Sequence, residues 1–186
     1  MKLYIKHMVS SRCILLVQNE LKKMDIRDAR VELGEVQIKK NISQSQREEL
    51  GAGLAKIGLE LISDKRFILI EKIKHVIIKV VHLTDKVLKV KFSEHLSKTL
   101  GYSYTYLANI FSKTTGTTIE KQVIKHKIER AKELIIYDEL TLTEIAFKLN
   151  YSSVGHLSNQ FKKVTGYTPS TFKRLSHKKR IELENV

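Results

Sequence analysis

Two stretches of this chain are written to one pattern, about fifty residues apart. Leu107, Phe111, Lys113, Thr115, Gly116 and Thr118 recur fifty positions later as Leu157, Phe161, Lys163, Thr165, Gly166 and Thr168. Ahead of the leucine the offset is forty-nine, because Leu100-Gly101-Tyr102 answers Leu149-Asn150-Tyr151 and the second copy has one extra residue in its turn. Apolar residues at helical spacing on both sides of a polar turn predict a short helix, a tight turn and a second helix starting after Ser103 or Ser153. That is the spacing of a helix-turn-helix, written twice.

Helical signals dominate the whole region from Phe92, so it reads as an all-α domain. Ser93 is expected to cap a helix through His95, Leu96 and Leu100. Thr117 and Glu120 have capping-box spacing ahead of a long helix, Ile119 to Tyr137, with Val123, Ile124, Ile128, Ala131, Leu134 and Ile135 facing inward. Thr141 and Glu144 repeat the box before Ile145, Ala146 and Leu149. Pro169, the one proline, opens a last helix that Thr168 or Ser170 caps, with Phe172 and Leu175 on its apolar side. Leu96, Leu100, Leu107 and Phe111 are assigned as the brace of the first unit, and Ile145, Leu149, Leu157 and Phe161 as that of the second. The end of the chain, from His177, is basic and then acidic and is expected to be mobile.

Charge follows the repeat. Residues 91–180 hold 16 Lys and Arg against 7 Asp and Glu, an excess of +9 within a net charge of +14. A basic surface attracts phosphate backbones. An apolar fraction of 42% suffices for ordinary cores, and no segment approaches a membrane span, Ile14-Leu15-Leu16-Val17 being far too short. Charges interrupt the start of the chain, so no secretory leader is expected. The single cysteine, Cys13, excludes an internal disulfide framework and suits a reducing cytoplasm, the expected location.

A helix fits the major groove and presents the side chains of its outward face to base edges. If each unit occupies one groove, the two second helices lie about 34 Å apart, one turn of DNA. The helix 119–137 has the length to set that separation, so one chain could read two successive grooves without a dimer.

Within this region, Ile128-Glu129-Arg130-Ala131-Lys132-Glu133-Leu134, Leu142-Thr143-Glu144-Ile145-Ala146, Tyr151-Ser152-Ser153 and residues Phe161 to Pro169 resemble the AraC/XylS family of bacterial transcription regulators. The resemblance runs over residues 92–175 and is more specific in the second unit. It implies an all-helical DNA-binding domain with two helix-turn-helix units, double-stranded DNA as partner and RNA polymerase as a further candidate. The family's base-reading positions correspond to Thr105, Ala108 and Asn109, and to Val154, Gly155, Ser158 and Asn159. Two positions depart from the family: Asn150 replaces a turn glycine, and Ser97 stands where alanine is usual. Asn109 and Asn159 suit adenine, and His156 is added as a base or phosphate contact. No arginine stands in these slots, which implies weak or AT-leaning selectivity. Lys113, Lys162, Lys163, Lys173 and Arg174, together with Ser103 and Ser153, are the phosphate candidates.

The front of the chain alternates differently. Residues 2–8 read as a strand, 13–24 as a helix, 29–33 and 35–39 as one or two strands around Gly34, a helix follows from about Ser43 to Gly58, and 59–62 closes as a strand. This order makes a small α+β domain over residues 1–63. Met8-Val9-Ser10-Ser11-Arg12-Cys13 resembles the loop of heavy-metal-associated domains, which implies a ferredoxin-like fold. That loop carries two cysteines, and here Ser10 occupies the first position, leaving Cys13 as the one candidate ligand for a soft metal ion. A degenerate scaffold for packing or dimerisation, a metal site completed by Cys13 from two subunits, and thiol-based sensing all stay open.

Residues 64–91 read as a helical linker. Phe67, Ile70, Ile73, Ile77, Val80 and Val81 line one face, and Ile68, Leu69, Val76 and Ile78 widen it, so cover is expected from the neighbouring domain or a second subunit. A homodimer through the front domain or the helix 66–83 is therefore a candidate assembly. Residues 92–176 form the DNA-binding domain and 177–186 the tail. No phosphate loop, metal-ligand His/Glu pair or nucleophile elbow is present, so no enzyme and no catalytic residue is expected. His75 and His82, seven apart on one helix, read as surface or interface. The reading is a cytoplasmic bacterial regulator, and its rival is a metal-binding carrier or protein-interaction adaptor.

Overall fold

The computed structural model describes residues 1–84 and 90–174. The expected mobile tail 177–186, and Leu175, lie outside them. The chain separates into two compact units, Met1–His75 and Val76–Val186.

The first unit runs β1 (Lys2–Lys6), α1 (Ser11–Lys23), β2 (Ala29–Glu32), β3 (Glu35–Ile38), α2 (Gln44–Lys56) and β4 (Glu60–Ile62). The four strands form one antiparallel sheet in the order β2-β3-β1-β4. The alternation read from the sequence decides which face is covered. Leu3 and Ile5 of β1 and Val36 and Ile38 of β3 are buried with Val17 and Leu21 of α1 and Leu50 and Leu54 of α2. Ser43 caps α2 with a complete capping box, its hydroxyl accepting from the Gln46 amide while the Gln46 side chain accepts from the Ser43 amide.

Two strands rather than one separate the helices, and Gly34 turns the hairpin between them at φ +77°. A Cβ there would lie 2.0 Å from the His75 ring, so both the turn and the close approach require glycine. Helix α3 (Lys65–Ile78) contributes His75, and also Lys72, whose ammonium lies 4.7 Å over the Tyr4 ring. Burial pushes the His75 imidazole below its ordinary pKa, partly opposed by Glu71 and by a hydrogen bond to the Met8 backbone. Leu69, Ile70, Ile73, Val76, Ile77, Ile78 and Val81 are all buried within the single chain, so a second subunit is not needed to cover them.

In the second unit a π-helical turn, Lys79–Leu83, continues from α3. Six helices follow: α4 (Phe92–Leu100), α5 (Tyr104–Thr115), α6 (Ile119–Tyr137), α7 (Leu142–Lys148), α8 (Val154–Thr165) and α9 (Pro169–Arg174). Helix α6 is the axis, in contact with α5, α7, α8, α9 and the π-helical turn. Ile128, Ala131 and Ile135 of α6 meet Ile145, Ala146, Leu149, Leu157, Phe161 and Phe172 in one core. Phe161 and Phe172 pack edge to face at 5.4 Å.

Three local expectations need correction. Ser93 is not a cap: α4 begins at Phe92, with Lys91 in the cap position. The cap of α6 is Thr118 rather than Thr117, with the Thr118 hydroxyl accepting from the Lys121 amide at 3.2 Å. Glu120 does not close a box, and its carboxylate accepts from the Tyr104 hydroxyl. On α6 itself Val123 and Ile124 are only half-buried, whereas Gln122, His126, Glu129 and Lys132 are buried. The helix is wrapped on more than one side, and an apolar period marks only one of them. Lys132 pairs with Glu129 at 2.6 Å, and His126 meets His82 at 3.3 Å between ring nitrogens. His75 and His82, expected at a surface or interface, are each half-buried, His75 beside Gly34 and His82 against His126.

Candidate nucleic-acid interface

Each turn of the duplicated pattern is built from the residues that recur. In the first, Gly101 adopts a left-handed backbone at φ +74°, and in the second Asn150 does so at +55°. Asparagine tolerates that region because its short polar side chain compensates locally. Ser103 then caps α5 by accepting from the Tyr106 amide at 3.3 Å, and Ser153 caps α8 by accepting from the His156 amide at 3.1 Å.

The exits are also twins. Thr115 donates its hydroxyl to the Phe111 carbonyl at 2.8 Å and accepts from the Thr117 amide. Thr165 donates to the Phe161 carbonyl at 2.8 Å and accepts from the Tyr167 amide. Gly116 and Gly166 reverse the chain at φ +71° and +82°. Thr118 and Thr168 cap the next helices, by accepting from Lys121 and Thr171. Leu107, Phe111, Leu157 and Phe161 are fully buried, as are Leu96 and Ile145 almost so, which makes them the expected brace. Leu149 is buried and Leu100 half-buried.

This scaffold leaves one face of each second helix open. On α5, Thr105, Asn109 and Lys113 are exposed and Ala108 is half-buried. On α8, Gly155, His156, Asn159, Lys162 and Lys163 are exposed, with Val154 and Ser158 half-buried. Ser103, Ser153 and Arg174 are exposed as well. Lys173 is exposed but pairs with the Asp138 carboxylate, so its charge is already engaged within the chain.

Four residues at this interface escaped the reading of the sequence. Tyr102 and Tyr106 stack at 5.3 Å with an interplanar angle of 28°. Tyr104 opens α5 and donates to Glu120. Burial first and this bond second hold the Tyr104 phenol above its ordinary pKa, and the bond holds the Glu120 carboxyl below its own. Lys127 of α6 lies 4.9 Å over the Tyr151 ring, and burial lowers its pKa. The repeat carried a signal for Tyr106, which stands fifty positions before His156.

In the first unit, Cys13 is half-buried with its sulfur 3.7 Å from the Ser10 hydroxyl. Met8, the other residue of the metal-loop resemblance, is fully buried and its sulfur accepts from the Gly34 amide at 3.3 Å. Among the described residues no three His, Cys, Asp or Glu groups come together to hold a metal ion. No described helix is long and apolar enough to cross a membrane.

Residues 96–175 match the family described as "Helix-turn-helix domain". A stretch of 75 residues is 35% identical to an HTH-type transcriptional regulator encoded in the cgkA 5' region of Pseudoalteromonas carrageenovora, covering 40% of this chain and 44% of that one. Over 75 residues the chain is also 33% identical to the F1 operon positive regulatory protein of Yersinia pestis, covering 40% of this chain and 25% of that one. Among solved structures, the C-terminal domain of the two-component response regulator yesN from Fusobacterium nucleatum is 27% identical over 54% of this chain and 97% of that one, with a TM-score of 0.47. The match spans less than half the length of either regulator. Residues 96–175 are thus similar to the helix-turn-helix domains of transcription regulators.

Proposed function

We propose that the protein is a sequence-specific transcription regulator of the AraC/XylS type that lays α5 and α8 into two successive major grooves. The observation that carries this reading is the twin construction: two second helices with the same caps, exits and buried brace, each leaving an exposed polar face. Both units are built on α6, whose 19 residues span about 28 Å at the usual helical rise, comparable to one turn of duplex. Thr105, Ala108 and Asn109 would read the first groove, and Val154, Gly155, Ser158 and Asn159 the second, with His156 at a base edge or a phosphate. Ser103, Ser153, Lys113, Lys162, Lys163 and Arg174 would hold phosphates, and Lys173 would do so on leaving Asp138.

The proposed borders are 1–63, a helical linker over 64–91, the DNA-binding domain over 92–176 and a tail over 177–186. The strand and helix order of the front unit, with its central β1 and β3, supports a ferredoxin-like fold used for sensing or dimerisation. RNA polymerase and a second copy of the chain are its candidate partners besides DNA. Electrophoretic mobility shift on AT-rich duplex at two salt concentrations tests the reading. Retardation that weakens steeply with salt is expected, and retardation insensitive to salt, or none, refutes it in favour of a protein-only adaptor.

A further inference from the structure

Both second helices carry an aromatic ring at their third residue, and in both that ring rests on a tyrosine from the preceding turn. Tyr106 stacks on Tyr102 at 5.3 Å, and His156 meets Tyr151 edge to face at 5.2 Å. Tyr106 and His156 are fifty positions apart and the two turn tyrosines forty-nine, so the pairs occupy one register of the repeat. Stacked in one and perpendicular in the other, the contacts differ in detail. The result is shared: a ring fixed at the entrance of the helix.

Tyr151 belongs to the core of the second unit, but the other three rings do not. Tyr102 and Tyr106 are 49% and 47% exposed, and His156 is exposed too. At about 100° per residue, position 106 falls on the same side of α5 as Thr105, Asn109 and Lys113, and position 156 on the same side of α8 as Gly155, Asn159 and Lys163. They therefore belong to the open face that the fold leaves on each helix.

The chemistry common to the two rings narrows what they would touch. As base readers a phenol and an imidazole differ, but each can turn a single donor outward from a rigid, supported ring. The Tyr106 hydroxyl is one. In His156 the Ser152 hydroxyl lies 3.0 Å from Nδ1, and where that hydroxyl donates, Nε2–H is the other. A target that only accepts, and that recurs identically beside both grooves, is the phosphodiester oxygen. The helix entrance, where backbone amides also face outward, is where a recognition helix passes the strand backbone.

We infer that Tyr106 and His156, supported by Tyr102 and Tyr151, are a matched pair of phosphate clamps, one seating each recognition helix on the duplex. This rests on the DNA-binding reading above. The probes are fluorescein-labelled AT-rich and GC-rich duplexes of about 30 base pairs, long enough for two grooves one turn apart, followed by anisotropy with the full chain. Tyr106→Phe keeps the ring and its stacking and removes only the donor. His156→Ala removes the second donor, and His156→Gln restores one.

Tyr106→Phe and His156→Ala should each weaken binding about ten-fold, by the same factor on both duplexes. The salt slope of Tyr106→Phe should match the wild type, because a phenol releases no counterion. His156→Gln should recover most of the loss. Unchanged affinity in both variants, or a loss confined to one duplex, overturns the clamps while leaving DNA binding intact. Failure of the wild-type protein to bind either duplex in a salt-dependent way overturns the regulator reading and the clamps with it.

Discussion

Tyr151→Phe should make the protein more stable. Tyr151 is 9% exposed, and among the described residues its buried hydroxyl has no hydrogen-bond partner. Burial pushes the phenol up to about 12. A buried hydroxyl without a partner costs roughly 1–3 kcal/mol relative to its hydrated state. Phenylalanine removes that oxygen and keeps the ring, its contact with His156 and its place beneath Lys127. The space left by one oxygen offsets about 0.3 kcal/mol of the gain at the usual cavity cost. A net stabilisation of about 1 kcal/mol remains, which is about 4 °C in the unfolding midpoint of a domain this size. Differential scanning calorimetry of both proteins at neutral pH measures it.

A second signature separates cause from coincidence. In the unfolded chain this phenol ionises near its ordinary value of about 10, whereas in the fold it holds its proton to about 12. Between those values the unfolded state binds fewer protons, so stability falls as pH rises through that window. Below it the group contributes nothing to the pH dependence. In the phenylalanine variant the alkaline decline should shrink but persist, because Tyr104 is shifted in the same direction. A midpoint at or below that of the wild type would refute the argument, since the hydroxyl would then have a partner worth keeping.

Three further outcomes are expected. Thr141→Ala removes the hydroxyl that accepts from the Glu144 amide and should cost about 1 kcal/mol in chemical denaturation, whereas an unchanged midpoint would mean that α7 holds without its cap. Lys162→Gln with Lys163→Gln should reduce the salt slope of DNA binding by roughly 2 in log–log form, and a full slope would remove both from the phosphate contacts. Cys13→Ser should take up Cu(I) no differently from the wild-type protein, because Met8 is committed to the core and one thiolate is a poor soft-metal site. A thiol-dependent gain in uptake, measured by competition with a chelator, would reopen the front unit as a metal sensor.

What the sequence disclosed is what local chemistry decides. Ser43, Thr141 and Thr168 could be read as caps because a cap lies within four residues of the amide it satisfies. The alternation of β1 and β3 could be read because one face of the sheet is buried. Thr117 and Thr118 are adjacent and alike, and one residue of register separates them: with Thr118 as the cap, Lys121 rather than Glu120 stands at the third helical position. The buried polar side of α6 was invisible for another reason: Gln122, His126, Glu129 and Lys132 look like a solvated face until their neighbours are in place. Met8 also depends on neighbours distant in sequence. Its position beside Ser10 and Cys13 suggests a metal loop, but the close approach of Gly34 and His75 makes it a core residue. At the interface, the expected base-reading residues lie on open faces because the repeat fixes the helical phase. The ring pairs escaped notice because the two copies carry different residues, a tyrosine and a histidine, at the third helix position.

The polar side of α6 bears on how this chain can change over time. An apolar helix can slide or rotate against its neighbours at modest cost, but buried charged and amide groups have few alternative partners and so hold one axial setting. Deleting a single residue between Gly116 and Asp138 would turn everything beyond it by about 100° and draw it back by about 1.5 Å. On the proposed reading, point substitutions on the open faces would alter which bases are favoured, whereas the stride between two half-sites would change only by rebuilding the middle of the domain.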